Sequence, residues 1–203
     1  MIAVIMAGGK STRMGNRIEK PVLRLGKETL LDRSVMAVKG SRAADFIVAT
    51  TPSTPKTTKL AIKRGYAVLE TPGIDYHDDV YFLLDRIGPY ISLNVDIPFI
   101  TPAAIDQLIS KSKKESIACV LPREKVSYPV DDDSVGKGRD CKPYVWIGLN
   151  YVTPSKETDL LVMEDERLAI NINTPLDLAF AWSIIRSERK KRPASRRPSY
   201  ERP

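Results

Sequence analysis

Little in these 203 residues points to a membrane, a disulfide scaffold or a zinc centre. No apolar run reaches the roughly 18 residues that a spanning helix needs, so no membrane span is expected. The opening Met1-Ile2-Ala3-Val4-Ile5-Met6 is apolar, but it carries no basic leader and runs straight into glycines. It reads as a buried strand and not as a signal peptide. Only two cysteines occur, Cys119 and Cys141, at a spacing that matches no zinc pattern. Reduced thiols in a cytoplasmic chain are the expectation. Two familiar phosphate-binding strings are missing as well, since neither G-x-x-x-x-G-K-[ST] nor G-x-G-x-x-G is present.

A basic excess on the folded body is also scarce. The net charge is +7, but eight of the 32 Lys and Arg lie between Arg186 and Pro203, against Glu188 and Glu201. The remainder holds 24 basic and 23 acidic residues. A globular nucleic-acid binder carries its excess on the folded surface, so no specific nucleic acid is expected as partner. The sequence therefore divides into a domain over residues 1–187 and a basic tail over 188–203. Pro193, Pro198 and Pro203 interrupt that tail and almost nothing in it is apolar, so it reads as disordered. Either a solubilising role or RNA tethering is open to such a tail.

What is present is a series of short β-branched runs alternating with amphipathic stretches. Strands are expected at Ile2–Met6, Phe46–Thr50, Ala67–Leu69, Tyr90–Val95 and Ile117–Leu121. Helices are expected at Leu30–Lys39, Thr57–Arg64, Asp78–Ile87 and Pro102–Lys113. Val80, Leu83, Leu84 and Ile87 make the stripe of a helix with one buried face. Repeated β-α units predict a Rossmann-like three-layer α/β/α fold with a mostly parallel sheet. Tyr144–Val152 and Leu160–Met163 read as antiparallel additions at its edge. Arg123 to Pro143, with Asp131-Asp132-Asp133, reads as a long surface loop. Thr174-Pro175-Leu176-Asp177 reads as a capped helix start. Ligands of such sheets sit beyond the carboxyl ends of the strands.

The chemistry begins where the first strand ends, at Met6-Ala7-Gly8-Gly9-Lys10-Ser11-Thr12-Arg13-Met14-Gly15. Gly8 and Gly9 allow a sharp turn that brings backbone N–H groups against an anion. Lys10, Arg13 and Lys20 can neutralise a polyphosphate, and Ser11 and Thr12 add hydroxyl donors. With Glu19-Lys20-Pro21 behind it, this string resembles the signature of the A-type, MobA-like nucleotidyltransferases, which include sugar-1-phosphate nucleotidyltransferases and the molybdenum-cofactor guanylyltransferase. The resemblance implies that Ala7 to Thr12 cradle a triphosphate. It also implies that Arg13 and Lys20 stabilise charge as pyrophosphate leaves.

Asp96 follows the fourth strand directly in Asn94-Val95-Asp96-Ile97-Pro98-Phe99. A carboxylate there faces the ligand crevice and could hold Mg²⁺ against phosphate oxygens, or could merely cap the next turn. The resemblance favours the metal. In Asn171-Ile172-Asn173-Thr174-Pro175, Asn173 could complete a metal site or only cap the last helix; the resemblance makes it a second-rank metal ligand. The loops at Thr50-Thr51-Pro52 and Thr71-Pro72-Gly73, with Thr50, Thr51 and Gly73 as nucleotide contacts, are similar to archaeal adenosylcobinamide-phosphate guanylyltransferases. That likeness spans Met1 to about Ser187 and departs in the loop from Arg123 to Pro143. It implies GTP and a corrinoid phosphate as substrates, and leaves a homodimer open. His77 then reads as a surface or helix-start residue, because a phosphate acceptor needs no strong general base. A molybdenum-cofactor or sugar-1-phosphate nucleotidyltransferase is the near alternative. A non-catalytic nucleotide-sensing or RNA-binding module is the remote one.

Overall fold

The computed structural model describes residues 1–15 and 18–191. Its centre is a parallel core of β1 (Ile2–Met6) flanked by β4 (Asp45–Thr50) and β6 (Tyr90–Asn94). A two-stranded ribbon, β2 (Arg24–Leu25) and β3 (Glu28–Thr29), stands apart from the main sheet. With β5 (Val68–Glu70), β7 (Ser116–Pro122), β9 (Pro143–Val152) and β10 (Thr158–Val162), the main order is β10-β7-β9-β6-β1-β4-β5. The expected three-layer, mostly parallel architecture is present. The middle of β1 is fully buried, as a strand covered on both faces must be.

The antiparallel strand stands elsewhere than expected. β9 is not an edge addition; it inserts between β6 and β7 and runs antiparallel to both. The edge strand β10 pairs parallel with β7. The stretch from Arg123 to Pro143 is not wholly irregular either. It holds two 3-10 turns and β8 (Val135–Lys137), which pairs with β9.

Side-chain caps set where the helices begin. Thr29 and Asp32 form a reciprocal capping box at α1 (Leu30–Lys39). Asp75 caps α3 (Tyr76–Ile87), and Thr101 caps α4 (Pro102–Lys111), which has proline in its first turn. α2 (Pro55–Lys63) also opens on proline. The box expected before α5 (Pro175–Lys191) is formed: Asp177 N–H donates to Thr174 Oγ1 at 3.2 Å, and Thr174 N–H to Asp177 Oδ2 at 2.7 Å. α5 carries the chain past residue 187, and the tail from residue 192 onward lies outside the described residues.

The main core gathers apolar residues of α1, α2, α4 and α5 on one face of the sheet. On the other face Leu83 of α3 is buried against Val4, Ala49 and Tyr90, and Leu84 and Ile87 of the expected stripe pack partly buried beside it, while Val80 is only half-buried and lies outside this cluster. Cys119 lies in the main core, where burial pushes its thiol up to about 12, and Cys141 is exposed. Neither cysteine is disulfide-bonded.

Candidate active site

The glycine loop is shaped by what stands behind it. Ala7 is buried, its N–H donating to Ala49 O at 2.8 Å, so it extends the β1–β4 pairing beside the cavity that the next residues line. Gly8 lies against Thr51, whose Oγ1 donates to the Gly8 carbonyl at 2.8 Å. A Cβ at position 8 would sit 2.4 Å from Thr51 Cγ2, and one at Gly73 would sit 2.8 Å from Thr51 Cβ. Thr51 is thus wedged between the two glycines, and only the lack of a side chain lets the loops close on it. Thr50 and Thr51 are both buried and brace this wall from behind. Gly9 is different, since nothing approaches its missing Cβ. With Gly8, Lys10, Ser11, Lys20 and Gly73 it lines a cavity of about 310 Å³ that ends at Asp96. Ser11 holds a left-handed backbone at φ 51° and leads into a 3-10 turn over Thr12–Met14.

Two carboxylates that the sequence reading did not single out hold the loops in place. Glu19 is buried and caps the start of α2. Its Oε2 accepts from Thr57 N–H at 2.7 Å and from Thr57 Oγ1 at 2.8 Å, and its Oε1 accepts from Lys56 N–H at 3.0 Å. A negative charge suits a helix N-terminus, and this one anchors the segment that carries Lys20. Asp79, also buried, accepts the Gly73 N–H at 2.9 Å and fixes the opposite wall.

Lys20 is the junction of the site. Its ammonium donates to Asp96 Oδ2 at 2.8 Å and to Asn173 Oδ1 at 2.7 Å. The Asp96 carbonyl accepts the Ile172 N–H at 2.9 Å, which stitches the Asn171–Asn173 segment to the end of β6. Asn173 therefore does more than cap α5, because its side chain reaches into the site while its backbone N–H takes the capping bond to Asp177. One carboxylate and one amide oxygen converge on a single cationic point. Such hard oxygen donors suit a metal ion as well as an ammonium group. Among the described residues no group of three acidic, histidine or cysteine side chains could hold a metal alone.

Arg13 is not gathered with Lys10 and Lys20. It lies over a second, wider cleft, where its guanidinium donates to Asp131 Oδ2 at 2.6 Å. Asp131 also accepts from Asn173 Nδ2 at 2.8 Å, so the acidic loop reaches back to the junction. The sequence reading saw Asp131 only as part of a charged loop, and no local signal ties it to Asn173. Tyr76 and Asn94 wall both cavities. The outer part of the Tyr76 ring is exposed, while its hydroxyl end is enclosed near Ser92 and Asn150. Burial raises its phenol above the ordinary range, those two neighbours oppose the shift, and Asp96 adds to it. His77 is the exposed second residue of α3, edge-on to Tyr76 at 5.9 Å between ring centroids, as a helix-start residue should be.

The chain is similar to known nucleotidyltransferases. The MobA-like NTP transferase domain matches residues 3–146. An adenosylcobinamide-phosphate guanylyltransferase of Methanocaldococcus jannaschii is 30% identical, over 93% of this chain and 99% of its own. A probable molybdenum cofactor guanylyltransferase of Thermococcus sibiricus is 26% identical over 63% of the chain and 64% of its own. The solved structure of 4-diphosphocytidyl-2C-methyl-D-erythritol synthase from Anaerococcus prevotii superposes with a TM-score of 0.66 at 13% identity. It covers 91% of this chain and 95% of that one, a likeness of fold. The chain thus belongs to the MobA-like NTP transferase family.

Proposed function

We propose that the chain transfers the guanylyl group of GTP to adenosylcobinamide phosphate, giving adenosylcobinamide-GDP and pyrophosphate in the cytoplasm. The observation that carries the chemistry is the meeting of Lys20, Asp96 and Asn173 at the end of the glycine-walled cavity. The acceptor is supported by likeness to the Methanocaldococcus jannaschii enzyme over nearly the whole of both chains.

In this reading the triphosphate lies along Gly8, Gly9, Lys10 and Ser11, and the acceptor enters from the second cleft. An oxygen of the acceptor phosphate attacks the α-phosphorus in line. A new P–O bond forms there as the bond to the β-phosphate oxygen breaks and pyrophosphate leaves. The attacking oxygen is already anionic, so positioning and charge neutralisation do the catalysis without a general base. Lys20 turns from Asp96 and Asn173 toward the phosphoryl oxygens and neutralises their charge, which frees those two oxygen donors. Asp96 and Asn173 fit Mg²⁺, with remaining ligands from phosphate and water, and bound Mg²⁺ would offset charge on the reacting phosphates.

The test is pyrophosphate release from GTP with adenosylcobinamide phosphate, molybdopterin or a sugar 1-phosphate as acceptor. Turnover is expected with the first, and turnover only with one of the others would overturn the assignment. Asp96→Ala should abolish the Mg²⁺-dependent rate, and full retained activity would remove its metal role.

A further inference from the structure

One face of the sheet is left uncovered where the second cleft lies. In register, Ser92 and Asn94 of β6 point to the same side as Tyr90, and Asn150 of β9 to the same side as Val152. Tyr90 and Val152 pack in the cluster beneath α3. That helix begins at Tyr76, whose hydroxyl end reaches Ser92 and Asn150, and beyond that ring Asn94 of β6 and Trp146 and Gly148 of β9 line the open cleft. Along β9 the buried residues are Val145, Ile147, Leu149 and Tyr151, and the alternate residues Trp146, Gly148 and Asn150 line the cleft.

This floor is built of amides, and it is short of partners. Among the described residues four buried side-chain oxygens have no hydrogen-bond partner: Thr50 Oγ1, Ser92 Oγ, Asn94 Oδ1 and Asn171 Oδ1. Asn94 and Asn171 line the cleft, and Ser92 stands in register with Asn150, which also lines it. Folded proteins pair almost all such atoms, and Ser92 has the Tyr76 hydroxyl beside it, so the Asn94 and Asn171 oxygens are the two in the cleft still short of donors. The packing favours them there, because a Cβ at Gly148 would come within 2.6 Å of Asn94 Nδ2. Trp146 supplies the apolar element, held against β8 where Gly136 has no side chain to displace it. Asp131 and Asp133 line the same cleft and disfavour an acceptor with an anionic rim.

We infer that this cleft binds the acceptor through its carboxamides: Asn94, Asn150 and Asn171 read the neutral primary amides around a large ring, whose apolar plane lies on Trp146. A primary carboxamide donates to a free Oδ1 and accepts from an Nδ2, so an amide floor suits it better than it suits carboxylates or phosphates. The phosphate arm of the same acceptor then points toward Lys20 and Asp96, which line the neighbouring cavity. The inference rests on the adenosylcobinamide reading and assigns the residues that would select that substrate class.

The experiment is steady-state kinetics on the full chain. Wild-type protein is compared with Asn150→Leu and Asn171→Leu, using adenosylcobinamide phosphate and an analogue whose peripheral carboxamides are methyl esters. The ester keeps the neutral charge and the carbonyl acceptor, loses the N–H donors and adds one methyl to each arm, so the variants' loss of preference separates lost hydrogen bonds from added bulk. Wild type should show an acceptor KM at least about tenfold higher for the ester, since a site built to hydrogen-bond rejects the analogue that cannot. Each variant should raise the KM of the amide acceptor about tenfold, shrink its preference over the ester, and leave the KM for GTP unchanged. Equal use of amide and ester by wild type overturns the inference whether or not the variants fold. So does a rise in the Mg²⁺ concentration needed for half-maximal rate, which would assign the amides to the metal. Absence of turnover with adenosylcobinamide phosphate removes both this inference and the proposed function, and is seen before any variant is made.

Discussion

The two sides of the site are built in different ways. On the glycine-loop side the wall is backbone, set by Gly8, Gly9 and Gly73, and held from behind by Thr51, Glu19 and Asp79. On the other side the wall is side chain, with Asn94, Asn150, Asn171 and Trp146 drawn from three separate segments. A backbone wall grips what all nucleoside triphosphates share. A side-chain wall can be changed residue by residue without disturbing the fold. Lys20 touches both sides, and so the comparison turns on it.

Lys20→Ala should therefore have the largest effect. Removing one pre-aimed group that stabilises transition-state charge costs about 10²–10³ in kcat, or about 2.7–4 kcal/mol. The cavity beside Asp96 is open to solvent, so the freed carboxylate is rehydrated and folding suffers much less. Turnover and melting temperature measured on one preparation would separate these effects. A large fall in melting temperature with turnover nearly intact would make Lys20 a structural ion pair and dissolve the contrast.

Gly8→Ala tests the backbone wall. The added methyl meets Thr51 Cγ2 at 2.4 Å, and overpacking of this kind costs about 1–3 kcal/mol. Thr51→Ser removes that methyl yet keeps the hydroxyl that donates to Gly8 O. The double variant should thus recover most of the stability and the GTP affinity lost by Gly8→Ala. Denaturant unfolding and GTP titration would read both quantities. No recovery would mean that position 8 needs glycine for its backbone alone. Glu19→Gln should follow at about 1–2 kcal/mol, because α2 loses its N-terminal charge and one of three hydrogen bonds finds a donor in place of an acceptor. Turnover should fall with it by several-fold as Lys20 loses its anchor, seen as a kcat change without a matching change in acceptor KM.

The same contrast explains what was readable in the sequence. β1 and α1 fall on the expected residues because a continuous apolar run and a Thr-x-x-Asp cap are local signals. That Gly8, Gly9, Lys10, Ser11 and Lys20 line one cavity was legible because they fall within one short string. The place of β9 was not, since alternation in Tyr144–Val152 says that one face is buried and nothing about which strands flank it. Glu19 and Asp79 were missed because each works on a backbone N–H of a distant loop, which no spacing announces. Nothing local to Arg13 announces that Asp131, 118 residues away, holds its guanidinium over the other cleft.

That last bond joins the two sides, and breaking it should give the smallest effect and the most specific one. Arg13 and Asp131 are 48% and 35% exposed, so their pair contributes no more than about 1 kcal/mol to folding. Asp131→Ala should leave the melting temperature within a few degrees of wild type. If Arg13 serves the triphosphate, it must leave Asp131 to do so, and the carboxylate competes with phosphate for the same guanidinium. Removing the competitor should lower the KM for GTP by about two- to threefold, within the worth of an exposed pair. The acceptor KM should stay nearly constant, because Asn94, Asn150 and Asn171 remain in place. The opposite split, an unchanged GTP KM with a raised acceptor KM, would place Arg13 and Asp131 together on the acceptor side and leave the cradle to Lys10 and Lys20.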